Sequence, residues 1–273
     1  MITLYSYPEL FGVADNNGYG LKVFAFLKLT GVSFTHQHIF DASAAPRGQL
    51  PYIVDDGETI GDSDTIIAHL TDKYSLKIDD GLTTAQRDTS YLITRMLDDL
   101  YWVMSYSRWK DERFWPAFCD ALRREHPILT EAALRKAKEF NSQRYYYQGI
   151  GRYAPSAAYA RGLADLQVLA NLIPADGYVH GPKPTSIDAA IYGFIANIFI
   201  STRSILHSGS SLRRIPISFG IALQFTPPSV RKFKADGEKK PYSTNRIDLL
   251  ARALESDQGA ACVFFHRLRR GHG

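Results

Sequence analysis

Cysteine is scarce in this sequence, with only Cys119 and Cys262 among 273 residues. Two distant cysteines exclude a disulfide framework, a Cys-x-x-Cys redox motif and a cysteine-ligated zinc site. His36 and His38 share one face of a predicted strand, but two histidines without a third ligand do not indicate a metal site. We therefore expect no bound metal, and a reducing cytoplasm as the compartment.

Long apolar runs are also missing. No segment approaches about 18 consecutive apolar residues, the length that a membrane-spanning helix needs. The first residues, "MITLYSY", alternate like a strand and lack the basic and apolar regions of a signal peptide. The apolar fraction of 45% and the charged fraction of 22% are typical of globular proteins. We expect a globular chain without a membrane span, long enough for two domains.

Charge is distributed unevenly along the chain. Residues 203–273 carry 13 Lys and Arg against 5 Asp and Glu, a net charge of +8, whereas residues 1–202 carry 19 against 23, a net charge of −4. Helical periodicity stops near the same point, which predicts an atypical basic tail. Two readings of this tail stay open, namely a disordered extension and the product of a reading-frame shift near residue 202. A basic tail alone does not indicate nucleic-acid binding, and we expect none.

The first 75 residues alternate between strand and helix patterns. The apolar spacing predicts the order β-α-β-β-β-α, with Asp56-Gly57 as the turn of a hairpin. Asp62 or Ser63 caps the helix that follows this hairpin. These elements predict a small α/β domain over residues 1–75 that begins with a right-handed βαβ unit.

Residues 83–202 follow a helical period and predict an all-helical second domain. The most apolar of its helices begins at "PTSIDAAIYGFIANIFI", and an almost entirely apolar helix belongs in the centre of a bundle. Thr185-x-x-Asp188 forms a capping-box pattern at the start of this helix.

Three motifs in this order resemble the glutathione transferase family: Leu50-Pro51 before the hairpin, Asp62-Ser63 at the next helix, and the Thr185-x-x-Asp188 box. The resemblance extends from the first residue to the end of the last predicted helix. "GQLPYIVDDGETIGDSDTII" is most similar to the failed-axon-connections and metaxin branch. The resemblance implies a thioredoxin-like N-terminal domain, an all-α C-terminal domain and a homodimer.

The resemblance also implies roles for the motif residues. Leu50, before a cis Pro51, offers its main chain to glutathione in the manner of an added strand. Asp62 binds the ammonium group of the γ-glutamyl end, and Ser63 binds its carboxylate at a helix N-terminus. Glutathione is then a co-substrate for conjugating or reducing small electrophiles in detoxification. Whether Gln49 or Arg47 also reaches glutathione stays open.

The residue that activates the thiol departs from the family pattern. Related sequences tend to read "SPFCLK" at the first helix, whereas this chain reads "NGYGLK", with Asn17 in place of the serine and Gly20 in place of the cysteine. The Asn17 amide can donate a hydrogen bond to a thiolate but cannot act as a base, and Asn17 also suits a helix N-cap. Tyr5, Tyr7 and Tyr19 are alternative donors. We predict Asn17 and Tyr7 as the catalytic candidates.

Aromatic residues crowd the long helix predicted from residue 83, namely Tyr101, Trp102, Tyr106 and Trp109. The resemblance implies a pocket for the electrophile between the domains, and we expect one or two of these rings to face it, although such spacing also suits a core. The leading hypothesis is a glutathione transferase. The alternative is a non-catalytic binding or scaffold protein of the metaxin-like type, which the missing serine and cysteine favour.

Overall fold

The computed structural model describes residues 1–174 and 177–206, with side chains as far as residue 198. The predicted basic tail lies outside the described residues from residue 207 onward, so both readings of it stay predictions. The described elements run in the order β1 Ile2–Ser6, α1 Gly18–Thr30, β2 Phe34–His38, β3 Tyr52–Asp55, β4 Glu58–Gly61, α2 Ser63–Lys73, α3 Thr84–Trp109, α4 Trp115–Glu125, α5 Glu131–Gln148, a 3₁₀ turn Ile150–Arg152, α6 Pro155–Leu172 and α7 Ser186–Leu206.

The described residues form two compact units, which we call the sheet unit (residues 1–101 and 169–200) and the helical unit (residues 102–168 and 201–206). The sheet unit contains four strands in the order β2-β1-β3-β4, with β1 parallel to β2 and the other pairs antiparallel. The predicted hairpin at Asp56-Gly57 and the βαβ start are confirmed. A thioredoxin-like sheet followed by a helical region is therefore the fold of this chain.

Alternating strand residues divide the sheet unit into two apolar layers. Ile2, Leu4 and Ile53 point into the layer that α1 and α2 cover. Tyr5 and Tyr52 belong to the opposite face, where their rings stack with centroids 4.5 Å apart. This alternation is what a sheet with both faces covered requires.

Helix α7 completes the core of the sheet unit. Ala189, Tyr192 and Ala196 pack into the same cluster as the strands and α1. The Asp188 half of the predicted capping box is confirmed, because Asp188 accepts hydrogen bonds from the Thr185 main-chain N–H and hydroxyl at 2.8 Å each. The Asp188 main-chain N–H donates to the Thr185 carbonyl rather than to its hydroxyl. The start of α7 is therefore fixed by its own sequence as well as by packing.

The helical unit has its own aromatic core. Tyr145 is fully buried and packs with Val103, Tyr106, Ile150 and Ala158. Tyr145 also shares a buried hydrogen bond of 2.7 Å with the Ser105 hydroxyl. Throughout the part of the chain that the structure describes, helices are too short or too polar to span a membrane.

Candidate functional site

The strand order brings three of the predicted site segments to one end of the sheet. Tyr52 pairs with Tyr5 on one side and with Gly61 on the other. Tyr7 follows the end of β1, Leu50 and Pro51 precede the start of β3, and Asp62 follows the end of β4, all at the same end of the sheet. The segment after β1, the start of β3 and the start of α2 therefore converge at this end, which we call the sheet end.

The first helix begins at the same end. The Asn16 side chain donates to the carbonyl of Pro8, two residues after the end of β1, at 2.9 Å. A Cβ placed on Gly20 would lie 3.1 Å from the Ser6 Cβ, so the first turn of α1 touches the last residue of β1. Asn17 therefore stands beside the end of β1.

The Leu50-Pro51 peptide bond is cis, as predicted. The Leu50 side chain is buried and packs with Tyr7, Ala45 and Tyr52. Among the described residues, no hydrogen bond engages the Leu50 main chain, and the ladder between β1 and β3 ends at Tyr52. The Leu50 N–H and carbonyl are thus donor and acceptor groups that an extended ligand can pair with.

Asp62, rather than Ser63, is the N-cap of α2. Its carboxylate accepts hydrogen bonds from the main-chain N–H groups of Asp64 and Thr65 at 3.2 and 3.1 Å. Ser63, the first residue of the helix, is buried, and its hydroxyl makes no hydrogen bond within the described part of the chain. The helix start therefore offers a buried hydroxyl beside a carboxylate that is already partly engaged.

Arg47 lies at this helix start, and whether it or Gln49 also reaches glutathione stays a prediction. Its guanidinium donates to the second Asp62 carboxylate oxygen at 3.4 Å. Both side chains are substantially exposed, so this ion pair contributes little to stability. The arrangement places one cation and one anion next to each other, which suits a ligand that carries both charges.

Asn17 caps α1 with its oxygen and leaves its nitrogen available. The Asn17 side-chain oxygen accepts from the Tyr19 main-chain N–H at 2.9 Å. The amide NH₂ group has no hydrogen bond to another described residue. Asn17 therefore performs the structural role of a cap while keeping the two donors that a thiolate requires.

The three tyrosines differ as alternative donors. Tyr19 donates its hydroxyl to Asp98 at 3.1 Å, and burial together with the Asp98 charge raises the pKa of Tyr19. The Tyr19 hydroxyl proton is thus used in a hydrogen bond within the sheet unit. Tyr5 stacks on Tyr52, whereas Tyr7 packs beside Leu50 at the sheet end. Tyr7 packs in the Leu50 cluster, and the Asn17 amide NH₂ makes no hydrogen bond to a described residue, so these two stay the candidate donors.

The aromatic residues of α3 fall into different environments. Tyr101, in the sheet unit, packs against Tyr19 with ring centroids 5.0 Å apart. Within the helical unit, Tyr106 is buried against Tyr145, and Trp102 packs on the edge of the same core. Their role in a pocket for the electrophile stays a prediction.

Trp109 also lies within the helical unit, where it packs on Trp115 and Phe118. Its neighbours therefore indicate a core position.

In the sheet unit, His36 shares a 2.7 Å hydrogen bond with Ser6, and His38 lies 3.0 Å from the Ala14 carbonyl. Both imidazoles are thus engaged by the protein itself.

The sequence analysis did not single out two charged residues that the fold buries. Lys22 is almost fully buried in α1 and forms an ion pair with Asp64 of α2. Asp15 is fully buried just before α1. The apolar pattern of "GYGLKVFAFLK" does contain a lysine on a buried stripe, and that was the available signal for Lys22. No comparable signal marked Asp15.

Comparison with known proteins identifies the family of this chain. The family profile described as the glutathione S-transferase N-terminal domain matches residues 19–114, and the profile of the C-terminal domain matches residues 162–214. The isoprene-epoxide glutathione S-transferase of Rhodococcus sp. (strain AD45) is 30% identical over 222 residues, covering 77% of this chain and 91% of that protein. Failed axon connections of Drosophila melanogaster is 25% identical over 225 residues, covering 76% of this chain and 52% of that protein.

One solved structure has a similar fold. The glutathione S-transferase CsGST63524 of Ceriporiopsis subvermispora, in complex with glutathione, superposes with a TM-score of 0.50 at 19% identity, covering 77% of this chain and 88% of that chain. Similarity at this level concerns the fold. The sequence identity to the Rhodococcus enzyme over nine-tenths of its length goes further, and it shows that this chain belongs to the glutathione S-transferase family.

Proposed function

We propose that this protein binds glutathione at the sheet end and conjugates its thiol to small electrophiles. One observation carries the proposal, namely that the strand register gathers the Leu50 main chain, the Asp62-Ser63 helix start and the Tyr7 ring at one end of the sheet. The unengaged Leu50 peptide groups match the peptide of glutathione. Asp62 and Ser63 match the ammonium and carboxylate of its γ-glutamyl end.

The thiol is activated by donors at the start of α1. A free cysteine thiol has a pKa near 8.5, so only a small fraction is thiolate at neutral pH. The Asn17 NH₂ group stabilises the anion, and the first main-chain N–H groups of α1 add to it. Because Asn17 cannot accept the proton, the proton leaves to water.

Epoxides are the first class of electrophile to test, because the relative at 30% identity is an isoprene-epoxide glutathione S-transferase. The thiolate sulfur attacks one ring carbon, the carbon–oxygen bond breaks, and the alkoxide takes a proton from water. The product is a hydroxy thioether, and no oxidant or reductant is consumed.

The proposal includes a homodimer in the cytoplasm. Chromatographic sizing tests the oligomeric state, and cell fractionation tests the location.

A second candidate is a glutathione-binding scaffold without catalysis. Gly20, where related sequences tend to carry a cysteine, favours it, as does the similarity to failed axon connections. The two functions differ in the state of the bound thiol. A scaffold leaves the thiol pKa unchanged, whereas a transferase lowers it.

The test uses the purified full chain. Retention on immobilised glutathione and calorimetric titration measure binding, and thiolate absorbance against pH measures the pKa of the bound thiol. Turnover is followed with a small terminal epoxide and an aromatic chloride. Binding with a thiol pKa below 8 and adduct formation support the transferase. Binding without thiolate supports the scaffold, and no binding rejects both.

A further inference from the structure

Asp15 lies two residues before Asn17, and its side chain is completely buried. One of its carboxylate oxygens accepts a hydrogen bond from the Asn17 main-chain N–H at 2.7 Å. Bonds of this length to a carboxylate are stronger than those between neutral groups. The Asn17 main chain is therefore held by the residue that precedes the helix, independently of the cap that Asn17 itself makes.

The other Asp15 carboxylate oxygen faces Gly20. A Cβ placed on Gly20 would lie 1.6 Å from this oxygen, closer than any real contact. The carboxylate therefore occupies the space next to α1 that a side chain at position 20 would need. The Asp15 carboxylate fits beside α1 because Gly20 has no side chain.

Helix α7 fixes the Asp15 main chain. The Asn197 side chain, which is buried, donates to the Asp15 carbonyl at 3.2 Å and to the Gly193 carbonyl at 3.0 Å. Asp15 is thus tied to α1 through its carboxylate and to α7 through its carbonyl. Because both groups of Asp15 are held, the Asn17 main chain to which it bonds has little freedom to move.

We propose that Asp15 is a positioning residue of the thiol site, which holds the Asn17 main chain so that the Asn17 amide NH₂ points at the glutathione sulfur. This inference rests on the proposed function. Asp15 does not contact the substrate, because it is completely buried. Its contribution is the orientation of a donor, and small errors in such an orientation reduce rates strongly.

Four variants test the proposal: Asp15→Ala, Asp15→Asn, Asn17→Ala and the double variant Asp15→Ala/Asn17→Ala. We expect Asp15→Ala to lower kcat about 10-fold and to raise the pKa of the bound thiol, with a smaller change in KM for glutathione. Asp15→Asn keeps an acceptor oxygen and should retain most of kcat. The double variant should resemble Asn17→Ala. Independent, multiplied losses in the double variant, or a lower Tm with unchanged kcat and thiol pKa, would overturn the proposal.

A measurement without ligand separates this inference from the proposed function. The NMR signals of the Asn17 side-chain amide, assigned from their absence in Asn17→Ala, should shift in Asp15→Ala and stay close to wild type in Asp15→Asn. Unchanged signals in Asp15→Ala reject the positioning role even if the protein has no transferase activity. If Asp15→Ala does not fold, Asn197→Ala replaces it. The Asn17 signals should then shift, and unchanged signals again reject the role.

Discussion

Gly193 of α7 approaches α1 so closely that a Cβ added to it would lie 2.6 Å from the carbonyl oxygen of Gly18. The same Cβ would lie 2.6 Å from the main-chain nitrogen of Lys22. Both neighbours are backbone atoms of a helix, which cannot move aside as a side chain can. The contact therefore requires glycine at position 193 and fixes the spacing between α7 and α1, the helix that Asn17 caps.

Gly193→Ala should destabilise the protein by about 2 kcal/mol, because inserting a methyl group into a tight contact strains the backbone. Helix propensity alone predicts the opposite sign, a gain of about 1 kcal/mol. Urea unfolding of wild type and variant measures the difference. Gly18→Ala meets the Phe194 ring at 2.9 Å rather than backbone and should cost less. A more stable Gly193→Ala variant would contradict this account of the contact.

Asp62 has a structural role and a proposed ligand role, and two substitutions separate them. Asp62→Asn keeps the cap of α2, because asparagine caps helices as well as aspartate does. It should leave the unfolding free energy unchanged and weaken glutathione binding about 10-fold through loss of charge. Asp62→Ala should in addition lose about 1 kcal/mol of stability. Calorimetric titration and urea unfolding give the two quantities, and equal glutathione affinity in wild type and Asp62→Asn would argue against the ligand role.

Asn17→Ala should reduce turnover about 10-fold and raise the pKa of bound glutathione by about one unit, which corresponds to about 1.4 kcal/mol. Asn17→Ser should retain activity, since a hydroxyl both caps the helix and donates to a thiolate. Steady-state rates and thiolate absorbance measure both effects. Tyr7→Phe is the control for the rival donor. Loss of activity in Tyr7→Phe alone would transfer the role to Tyr7.

His36 should make stability depend on pH. Burial, followed by the nearby His38, lowers the pKa of His36 from its ordinary value near 6.5 to about 4. Between these values the unfolded chain binds a proton at position 36 that the folded protein does not, so stability falls as the pH is lowered. Urea unfolding at pH 7, 5.5 and 4.5 should show this loss, with a smaller loss in His36→Gln. His38→Gln should reduce the loss only in part, since burial is the larger cause of the shift, and identical pH profiles for wild type and His36→Gln would exclude the effect.

Much of the sheet unit could be predicted from the sequence, because its signals are local. The Asp56-Gly57 turn, the alternation of the strands and the Thr185-x-x-Asp188 box each arise from a few neighbouring residues. The choice between Asp62 and Ser63 as the cap needed the structure, since either side chain can fill that position.

The positions that sequence reasoning missed depend on contacts between distant segments. Asp15 is buried because α7 binds its carbonyl and because Gly20 leaves space for its carboxylate. The residues next to Asp15 in the sequence indicate neither contact. The environments of Tyr106 and Trp109 were likewise left open, because an aromatic residue on a helix suits a pocket or a core until its neighbours are known. Hydrophobic periodicity gives the face of a helix but not the element that covers it.

The place of α7 in the sheet unit also shapes how the chain folds. Asn197 bonds to Asp15 across 182 residues, and Ser186 donates to Asp79 across 107 residues. Contacts of such high sequence separation close large loops, and chains rich in them fold slowly. A ribosome must therefore synthesise nearly 200 residues before the first helix can meet its partner. Until then, the surface of α1 that α7 covers stays exposed, so the nascent sheet unit is a natural client for chaperones.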